Sequence, residues 1–209
     1  VGIVLNFTAN IVPAITASGV NGLDTGAEAA STWYHIWAIY DGTTKALLFS
    51  VSATAPTMPS GYTYKKYIGA VYNSSGSDFV VFAQKGNLVF FATVSNDTGL
   101  QVGTVSGSFS LTAAVPTTAQ SVFVRVRYFS NTNEPGGAME VGSRSGLALG
   151  SVKAEEIMAN AGGHNTVATS NGEILIETSQ TVYYTITNES TTDGTGNGDA
   201  YGWRFADVV

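Results

Sequence analysis

The run Trp33–Tyr40 constrains the fold most, because nearly all of its residues are apolar or aromatic. As a strand it would carry such side chains on both faces, which predicts that both faces are covered by protein. Asp41-Gly42 follows at once, and this dipeptide favours the backbone of a tight hairpin. The sequence therefore predicts a returning strand at Lys45–Ser52 and, after a proline-bounded crossing, a third strand at Ile68–Tyr72.

The segment Gln120–Phe129 shows the clearest alternation with a period of two. Its successive side chains would fall on opposite faces of a strand. One face would hold Val122, Val124, Val126 and Tyr128, and the other would hold Phe123, Arg125, Arg127 and Phe129. Two interpretations of the arginine-bearing face stay open, a solvated outer face or a face at a rim or interface.

Short strand patterns separated by turn signals recur along the 209 residues, while good helix formers are scarce. This spacing predicts an all-β fold, an antiparallel β-sandwich or jelly roll with at most one short helix, at Ser151–Ala161. We expect a single β-sandwich domain over residues 1–209, with residues 1–20 available as an N-terminal strand or arm for assembly contacts.

Several individual elements can be placed by their local patterns. Gly2–Ala9 lacks the basic region of a signal peptide, and its apolar residues predict a first strand. A hairpin is predicted from Glu173–Glu177 to Thr181–Asn188. The segments Asn131–Gly137 and Glu189–Gly198 are rich in glycine and polar residues, which predicts loops.

Charge and composition argue against several classes of partner. The net charge of −6 and the scattered lysines and arginines do not suit a nucleic-acid-binding protein. No apolar run approaches the roughly 18 residues of a membrane-spanning helix. The chain has no cysteine, so neither disulfides nor thiolate metal sites can form. A chain without cysteine suits assembly in a reducing cytoplasm followed by an extracellular existence.

Groups that could carry catalysis are sparse. His35 and His164 are the only histidines, and neither belongs to a metal-binding spacing. We expect His35 to be a hydrogen-bonded core or interface residue and His164 to be an exposed loop residue. The stretch Gly142–Gly146, with the sequence GSRSG, does not match the motif of a nucleophile elbow and predicts a loop. The acidic doublet Glu155-Glu156 does not by itself form a pair of cleft carboxylates.

The C-terminal region holds three aspartates that could bind Ca²⁺ together with loop carbonyls, namely Asp193, Asp199 and Asp207. Their spacing matches no EF-hand loop, so a solvated loop is the favoured interpretation. We therefore predict no catalytic, cofactor-binding or metal-binding residues and no enzyme activity. A polysaccharide depolymerase is the weakest alternative, since it needs two carboxylates across a cleft.

Tyrosines and tryptophans are the residues best suited to binding. Such amphipathic side chains stack on sugar rings or fill the centres of interfaces. The candidates are Tyr62, Tyr64, Tyr67, Tyr72 and Trp203. We expect most of them to be buried, and an exposed pair would favour a carbohydrate-binding module.

One set of residues forms a recognisable pattern: Gly22–Gly26, Trp33–His35, Pro56, Pro59, Gly61-Tyr62 and Ile68-Gly69, then Val115–Arg127 and Gly202–Phe205. This pattern resembles that of tailed-bacteriophage virion proteins, in tail-fibre, spike-tip or head-decoration regions. The resemblance covers residues 20–130 well and the remainder loosely. It implies a structural role in a virion and carries no catalytic residues over.

Two functions are therefore expected. The first is a structural or adhesive component of a bacteriophage particle, a tail-fibre, receptor-binding or capsid-decoration protein that acts by oligomeric packing. It would be a homo-oligomer, with a trimer favoured, in contact with other virion proteins and, if adhesive, with a host surface glycan. It would assemble in the host cytoplasm and end on the extracellular particle. The second is a lectin-like module of a secreted or surface protein. Neither function needs a cofactor, nucleic acid or membrane insertion.

Overall fold

The structure, a computed structural model, describes residues 4, 6–97, 101–102, 105–130, 137–146, 151–156, 166–188 and 194–206. These residues form strands, turns and irregular segments and include no helix. Contacts divide the chain into two compact units, Val1–Val80 with Asp207–Val209 (unit 1) and Val81–Ala206 (unit 2). Each unit is described by itself, and the single domain predicted over residues 1–209 stays a prediction.

Unit 1 is built on the three-stranded antiparallel sheet that the sequence predicts around Trp33–Tyr40. Its strands are β1 (Thr32–Tyr40), β2 (Lys45–Ser50) and β3 (Tyr64–Asn73), in the order β2-β1-β3. The hairpin between β1 and β2 turns at Asp41, whose Oδ1 accepts the N–H groups of Thr43 and Thr44 at 2.7 and 2.6 Å. The aspartate side chain thus closes the turn, as the Asp-Gly pair predicts.

Both faces of β1 are covered, as predicted. Tyr34 on one face and Ile39 on the other are fully buried. The Tyr34 ring packs edge-on against Phe49 and Phe79, with ring centroids 6.4 and 6.5 Å apart. Its hydroxyl accepts the Ala29 N–H at 2.7 Å, so the phenol oxygen is paired inside the core.

Irregular segments pair with both outer strands of this sheet. Beside β2, the Phe49 N–H donates to Gly22 O at 2.8 Å. Beside β3, the Val80 N–H donates to Tyr72 O at 2.9 Å. Part of the backbone of each outer strand is therefore already bonded, which reduces the exposed edge of the sheet.

Unit 2 contains two antiparallel sheets. Its strands are β4 (Phe82–Lys85), β5 (Leu88–Asp97), β6 (Gln101–Val102), β7 (Val105–Ser110), β8 (Ala119–Ser130), β9 (Gly137–Gly142), β10 (Val152–Glu156), β11 (Thr166–Leu175), β12 (Thr181–Asn188) and β13 (Gly194–Phe205). The large sheet has the order β11-β8-β13-β5-β4, with β6 paired to β13. The small sheet has the order β10-β9-β12-β7.

The strand order of unit 2 is that of a jelly roll. Leaving out β4 and the two-residue β6, the strands form the sheets β5-β13-β8-β11 and β7-β12-β9-β10. From β5 to β13 every connection between these strands crosses from one sheet to the other, except the one from β9 to β10. Two four-stranded sheets connected in this way make a jelly roll. The predicted all-β fold, an antiparallel β-sandwich or jelly roll, is therefore confirmed.

The core of unit 2 lies between its two sheets. The four alternating residues of β8 that were predicted to share one face, from Val122 to Tyr128, are all buried. The small sheet contributes Met139 of β9 and Ile186 of β12, both fully buried. Burying a large aliphatic or aromatic side chain contributes about 1.5–3 kcal/mol, so each of these residues stabilises the unit.

The helix predicted at Ser151–Ala161 is wrong where the structure describes it, because Val152–Glu156 is the strand β10, paired with β9. Val152 and Ala154 are buried, whereas the side chains between and after them are exposed. Pairing and an alternation of period two thus override the helix-forming tendency of alanine and glutamate. Residues 157–161 lie outside the described residues.

The loop predicted at Glu189–Gly198 is wrong from Gly194 onward, because β13 begins there. Gly196 faces the core, where a Cβ atom would come within 2.5 Å of Met139 Sδ and 2.8 Å of Ile186 Cδ1. The glycine therefore serves close packing of the sheets, which a glycine-rich sequence does not distinguish from a loop. Residues 189–193 lie outside the described part of the chain.

Three other predictions are corrected or restricted. Glu173–Glu177 and Thr181–Asn188 do not pair as a hairpin, because β11 belongs to the large sheet and β12 to the small sheet. The strand predicted at Gly2–Ala9 is absent over residues 6–9. In the loop predicted at Asn131–Gly137, the last residue begins β9, and residues 131–136 lie outside the described residues.

Candidate functional site

Asp199 of β13 is buried on the outer face of the large sheet by two arginines of β8. Its Oδ2 accepts from Arg125 Nε and Nη2 at 2.8 and 2.7 Å, and from Arg127 Nη2 at 2.9 Å. The Asp199 side chain is 3% exposed, whereas those of the arginines are 37% and 28% exposed. Arg125 is the register partner of Asp199, and Arg127 is that of Asn197, whose Oδ1 it contacts at 2.8 Å. Cross-strand pairing therefore builds this cluster.

Three aromatic rings from three strands pack together on the same face of the large sheet. Phe123 of β8 lies 5.0 Å from Phe90 of β5 and 6.0 Å from Tyr201 of β13, measured between ring centroids. Gly202 is the register partner of both phenylalanines. A Cβ atom there would come within 2.7 Å of Phe90 Cδ1. The missing side chain at Gly202 therefore lets the rings meet across β13.

An ion pair between Arg204 of β13 and Glu173 of β11 flanks these rings. The contact is bidentate: Arg204 donates from Nε to Glu173 Oε1 at 2.8 Å and from Nη2 to Glu173 Oε2 at 3.1 Å. The hydrogen bonds from Arg204 hold the pKa of Glu173 below its ordinary value, and Ser121 adds a further hydrogen bond to this carboxylate. The Arg204 guanidinium also lies 5.9 Å from the centroid of Phe123, within cation–π range.

We name this surface the aromatic–arginine face. It comprises Phe90, Phe123, Arg125, Arg127, Glu173, Asp199, Tyr201 and Arg204. It holds three of the four arginines of the chain. Phe90 is 39% exposed, and Val167 and Leu175 on the same side of β11 are exposed as well. The second face of Gln120–Phe129 is thus half-buried within the chain itself, and its two arginines are bound to a carboxylate.

The sequence did not reveal the partners in this face. Arg125 and Asp199 lie 74 positions apart in the chain, and Phe90 and Tyr201 carried no distinguishing pattern. The one available signal was the alternation within Thr195–Tyr201, where polar residues alternate with glycine and alanine as they do in a half-buried strand. The abundance of glycine in that segment favoured a loop instead.

The Ca²⁺ site considered at the C-terminal aspartates does not form around Asp199. That carboxylate is engaged by arginines, as described above. Asp193 and Asp207 lie outside the described residues. Across the described parts of the chain there is no group of three or more His, Cys, Asp or Glu side chains that could hold a metal ion.

His35 lies in the core of unit 1, only 3% exposed. Its Nδ1 is 3.3 Å from the Tyr67 hydroxyl, which matches the hydrogen-bonded core residue expected from the sequence. Burial lowers the pKa of His35 to about 4, so the imidazole is neutral at pH 7. His164 lies outside the described residues. Glu155 forms an exposed ion pair with Lys153 at 3.0 Å.

The aromatic residues singled out in the sequence divide by burial. Trp203 and Tyr67 are buried, as expected for most of the set. Tyr62 and Tyr72 are half-buried. Tyr64 is 48% exposed and lies 6.1 Å from the ring of Tyr40 on the neighbouring strand, so one partly exposed tyrosine pair exists in unit 1.

A groove of about 240 Å³ lies on the outer face of the small sheet, and we name it the hydroxyl groove. It is lined mainly by Ser106 and Ser108 of β7, Tyr183 and Thr185 of β12, and Ser145 and Gly146 of the turn after β9. Ser106 is the register partner of Thr185, and Ser108 is that of Tyr183. The loop predicted at Gly142–Gly146 is wrong at Gly142, which ends β9. Residues 143–146 form the bends and turn that close one side of this groove.

Comparison with protein-family models and with curated proteins finds no match to this chain. Within the described residues, no helix is long and apolar enough to cross a membrane. The functional interpretation therefore rests on the aromatic–arginine face, the hydroxyl groove and the pair of Tyr40 and Tyr64.

Proposed function

We propose that this protein is a structural or adhesive component of a bacteriophage particle that works as a homo-oligomer, with a trimer favoured. The observation that carries the proposal is the aromatic–arginine face on a jelly-roll unit. Viral capsid domains and lectins are among the proteins built on jelly rolls. The resemblance of residues 20–130 to tail-fibre, spike-tip or head-decoration regions of tailed phages supports the same role.

The composition of the aromatic–arginine face suits the centre of a protein interface. Aromatic residues and arginine are enriched in such centres, whereas lysine and glutamate are depleted. Each carboxylate of the face, Asp199 and Glu173, is already bound to arginine. A partner would therefore cover apolar rings and two carboxylates that are already paired with arginine, and neither carboxylate would lose its counter-charge on burial.

A second copy of this chain is the proposed partner. Contacts between unlike faces of identical subunits close into a ring when the rotation between neighbours permits it, and three copies then make a trimer. Other virion proteins would hold this ring on the particle. The absence of cysteine suits a protein that assembles in the host cytoplasm and then functions outside the cell.

Sedimentation at micromolar concentration tests the proposed self-association. We expect the wild type to be an oligomer that withstands mild detergent. The substitution Phe90→Glu places an unpaired charge in the aromatic group and should weaken association at least ~30-fold, the effect of a hot-spot residue. Val51→Glu is the matched control, because Val51 is an exposed apolar residue of unit 1. It should assemble like the wild type.

A wild type that is monomeric at this concentration contradicts the proposal. So does a Phe90→Glu protein that retains its circular dichroism spectrum and assembles normally. Electron microscopy with labelled antibodies on the phage that encodes this chain tests the location. Intact particles that bind no antibody would exclude a place on the virion surface.

A lectin-like module is the second candidate function. The observation that favours it is the partly exposed pair of Tyr40 and Tyr64, since tyrosine offers an apolar ring and a polar hydroxyl to a sugar. Retention of labelled oligosaccharides by the protein tests this function. Retention that survives Tyr64→Ala would remove this pair from consideration.

A further inference from the structure

We infer that the hydroxyl groove of unit 2 is a binding site for one ring of a neutral saccharide. This inference deepens the adhesive form of the proposed function and rests on it. It assigns the ligand to one surface of the small sheet, separate from the aromatic–arginine face on the large sheet.

The period of two in β7 and β12 creates the lining of the groove. Val182, Tyr184 and Ile186 of β12 are buried, which turns Tyr183 and Thr185 to the outer face. Ser106 and Ser108 of β7 are exposed on the same side. The result is a row of short hydroxyl side chains across two strands, with one phenol ring among them.

These hydroxyl groups match the hydrogen-bonding chemistry of sugars. Each one can donate and accept, as each sugar hydroxyl does, so the pairing can adjust to the orientation of the ligand. Ser106 Oγ and Thr185 Oγ1 already lie 3.1 Å apart, close enough to share a hydrogen bond with each other or with a ligand hydroxyl. Serine and threonine also lose little side-chain entropy when a ligand orders them.

The Tyr183 ring supplies the apolar part of the site. Sugar rings present C–H groups on one face, and an aromatic side chain can cover that face while its hydroxyl stays in water. Ser108 is the register partner of Tyr183 on one side and Gly142 is its partner on the other. Because glycine has no side chain, the position of β9 that pairs with Tyr183 adds no side chain beside the ring.

The charges around the groove favour a neutral ligand. No ionisable carboxylate, lysine or arginine side chain lines it among the described residues. Glu140 is the register partner of Thr185 on the side of β9, and it accepts a hydrogen bond from Ser151. Its negative charge beside the groove disfavours an anionic saccharide.

The size of the groove sets the size of the ligand. Its volume of about 240 Å³ lies below the roughly 300–1,000 Å³ of pockets that enclose drug-sized molecules. Among the described residues, the turn that contains Ser145 and Gly146 closes one side of the groove, which is otherwise partly open to solvent. The groove therefore suits one ring of a larger surface glycan, with the neighbouring rings outside it.

An array of neutral and acidic bacterial oligosaccharides tests the inference with the full chain. We expect retention of at least one neutral oligosaccharide and loss of affinity of at least ~10-fold on Tyr183→Ala. Ser108→Gln places a longer side chain over the groove and should abolish retention while keeping Tyr183. Val81→Ala is the control, because it shortens an exposed apolar residue of unit 2 that does not line the groove. It should bind like the wild type.

Retention of acidic oligosaccharides alone, or of none, would overturn the inference. The inference is also wrong if Tyr64→Ala loses binding while Tyr183→Ala and Ser108→Gln retain it, because the sugar would then bind at the tyrosine pair of unit 1. Sedimentation and antibody labelling of particles report on the proposed function separately. If the protein assembles and is found on the particle but binds no neutral oligosaccharide, the hydroxyl groove is not a saccharide site. The proposed structural role would still stand.

Discussion

Arg125 and Asp199 face each other across two adjacent strands, with Arg125 Nη2 2.7 Å from Asp199 Oδ2. Arg127 Nη2 reaches the same oxygen at 2.9 Å, so one buried carboxylate lies between two guanidinium groups and reduces their repulsion. This arrangement has an energetic consequence. Without the carboxylate charge, two cations would remain close together on a half-buried surface with no counter-charge between them.

Asp199→Asn should therefore destabilise unit 2 by about 2–3 kcal/mol, less than a fully buried pair would because the arginines are partly exposed. Urea unfolding measures the loss. The control is Arg144→Ala, since Arg144 lies 4.0 Å from Glu177 and both side chains are exposed. That change should cost under about 0.5 kcal/mol. Equal effects of the two substitutions would show that the Asp199 cluster adds no stability.

Gly202→Ala should disrupt the contact between β13 and β5. A Cβ atom at this position would come within 2.5 Å of Val89 O, which is backbone and cannot move aside like a side chain. Overpacking of this kind costs about 1–3 kcal/mol. The loss is measured as a lower midpoint of thermal unfolding. We also expect weaker self-association, because the Phe90 ring shares this space.

Gly76→Ala is the control for that experiment. The nearest side-chain atom to a Cβ at Gly76 is Ser74 Oγ, 3.6 Å away, an ordinary contact. The substitution should change stability by no more than about 0.5 kcal/mol. A Gly202→Ala protein as stable as Gly76→Ala would mean that β13 and β5 adjust without cost.

The parts of the fold that were predictable from sequence are those encoded by local periodicity. Trp33–Tyr40 has apolar residues at successive positions, which requires cover on both faces, and Gln120–Phe129 shows a period of two. Asp41 closes its turn through contacts with residues two and three positions on. Each of these features depends on a few neighbouring residues, so the sequence displays it directly.

The candidate surfaces depend on pairings that no local pattern displays. Asp199 meets Arg125 only because the jelly-roll order places β13 beside β8. Val152–Glu156 has the composition of a helix, but it forms a strand because it pairs with β9 at the edge of the small sheet. Gly196 resembles a loop residue and instead lets two sheets approach. At all three places the structure is determined by contacts between residues that lie far apart in the sequence.

Tyr34→Phe should lower the stability of unit 1 by about 1 kcal/mol, because the Ala29 N–H loses its acceptor at 2.7 Å while the ring packing is kept. Equilibrium unfolding in urea measures the difference. Tyr64→Phe removes a hydroxyl from an exposed tyrosine and serves as the control, with an expected change near zero. If both variants match the wild type, water replaces the lost acceptor at no cost.

His35 should make unit 1 less stable in mild acid. Burial lowers its pKa from the ordinary 6.5 to about 4 in the folded protein. Above pH 6.5 both folded and unfolded states hold a neutral imidazole, so the residue makes no difference there. As the pH falls from 6.5 toward 4, the unfolded state takes up a proton that the folded state does not. The free energy of unfolding should therefore fall, by about 3 kcal/mol in total across this range.

The variant His35→Gln isolates this effect, because glutamine does not titrate and can still hydrogen-bond the Tyr67 hydroxyl. Carboxylates titrate in both proteins, so they cancel in the difference between the two free energies of unfolding. We expect that difference to be constant above about pH 7 and to shift in favour of the variant as the pH approaches about 4. Denaturant unfolding followed by circular dichroism at a series of pH values provides the measurement. A difference that stays constant through this range would mean that His35 takes up its proton equally well in the folded and unfolded states, and that its ring is open to water.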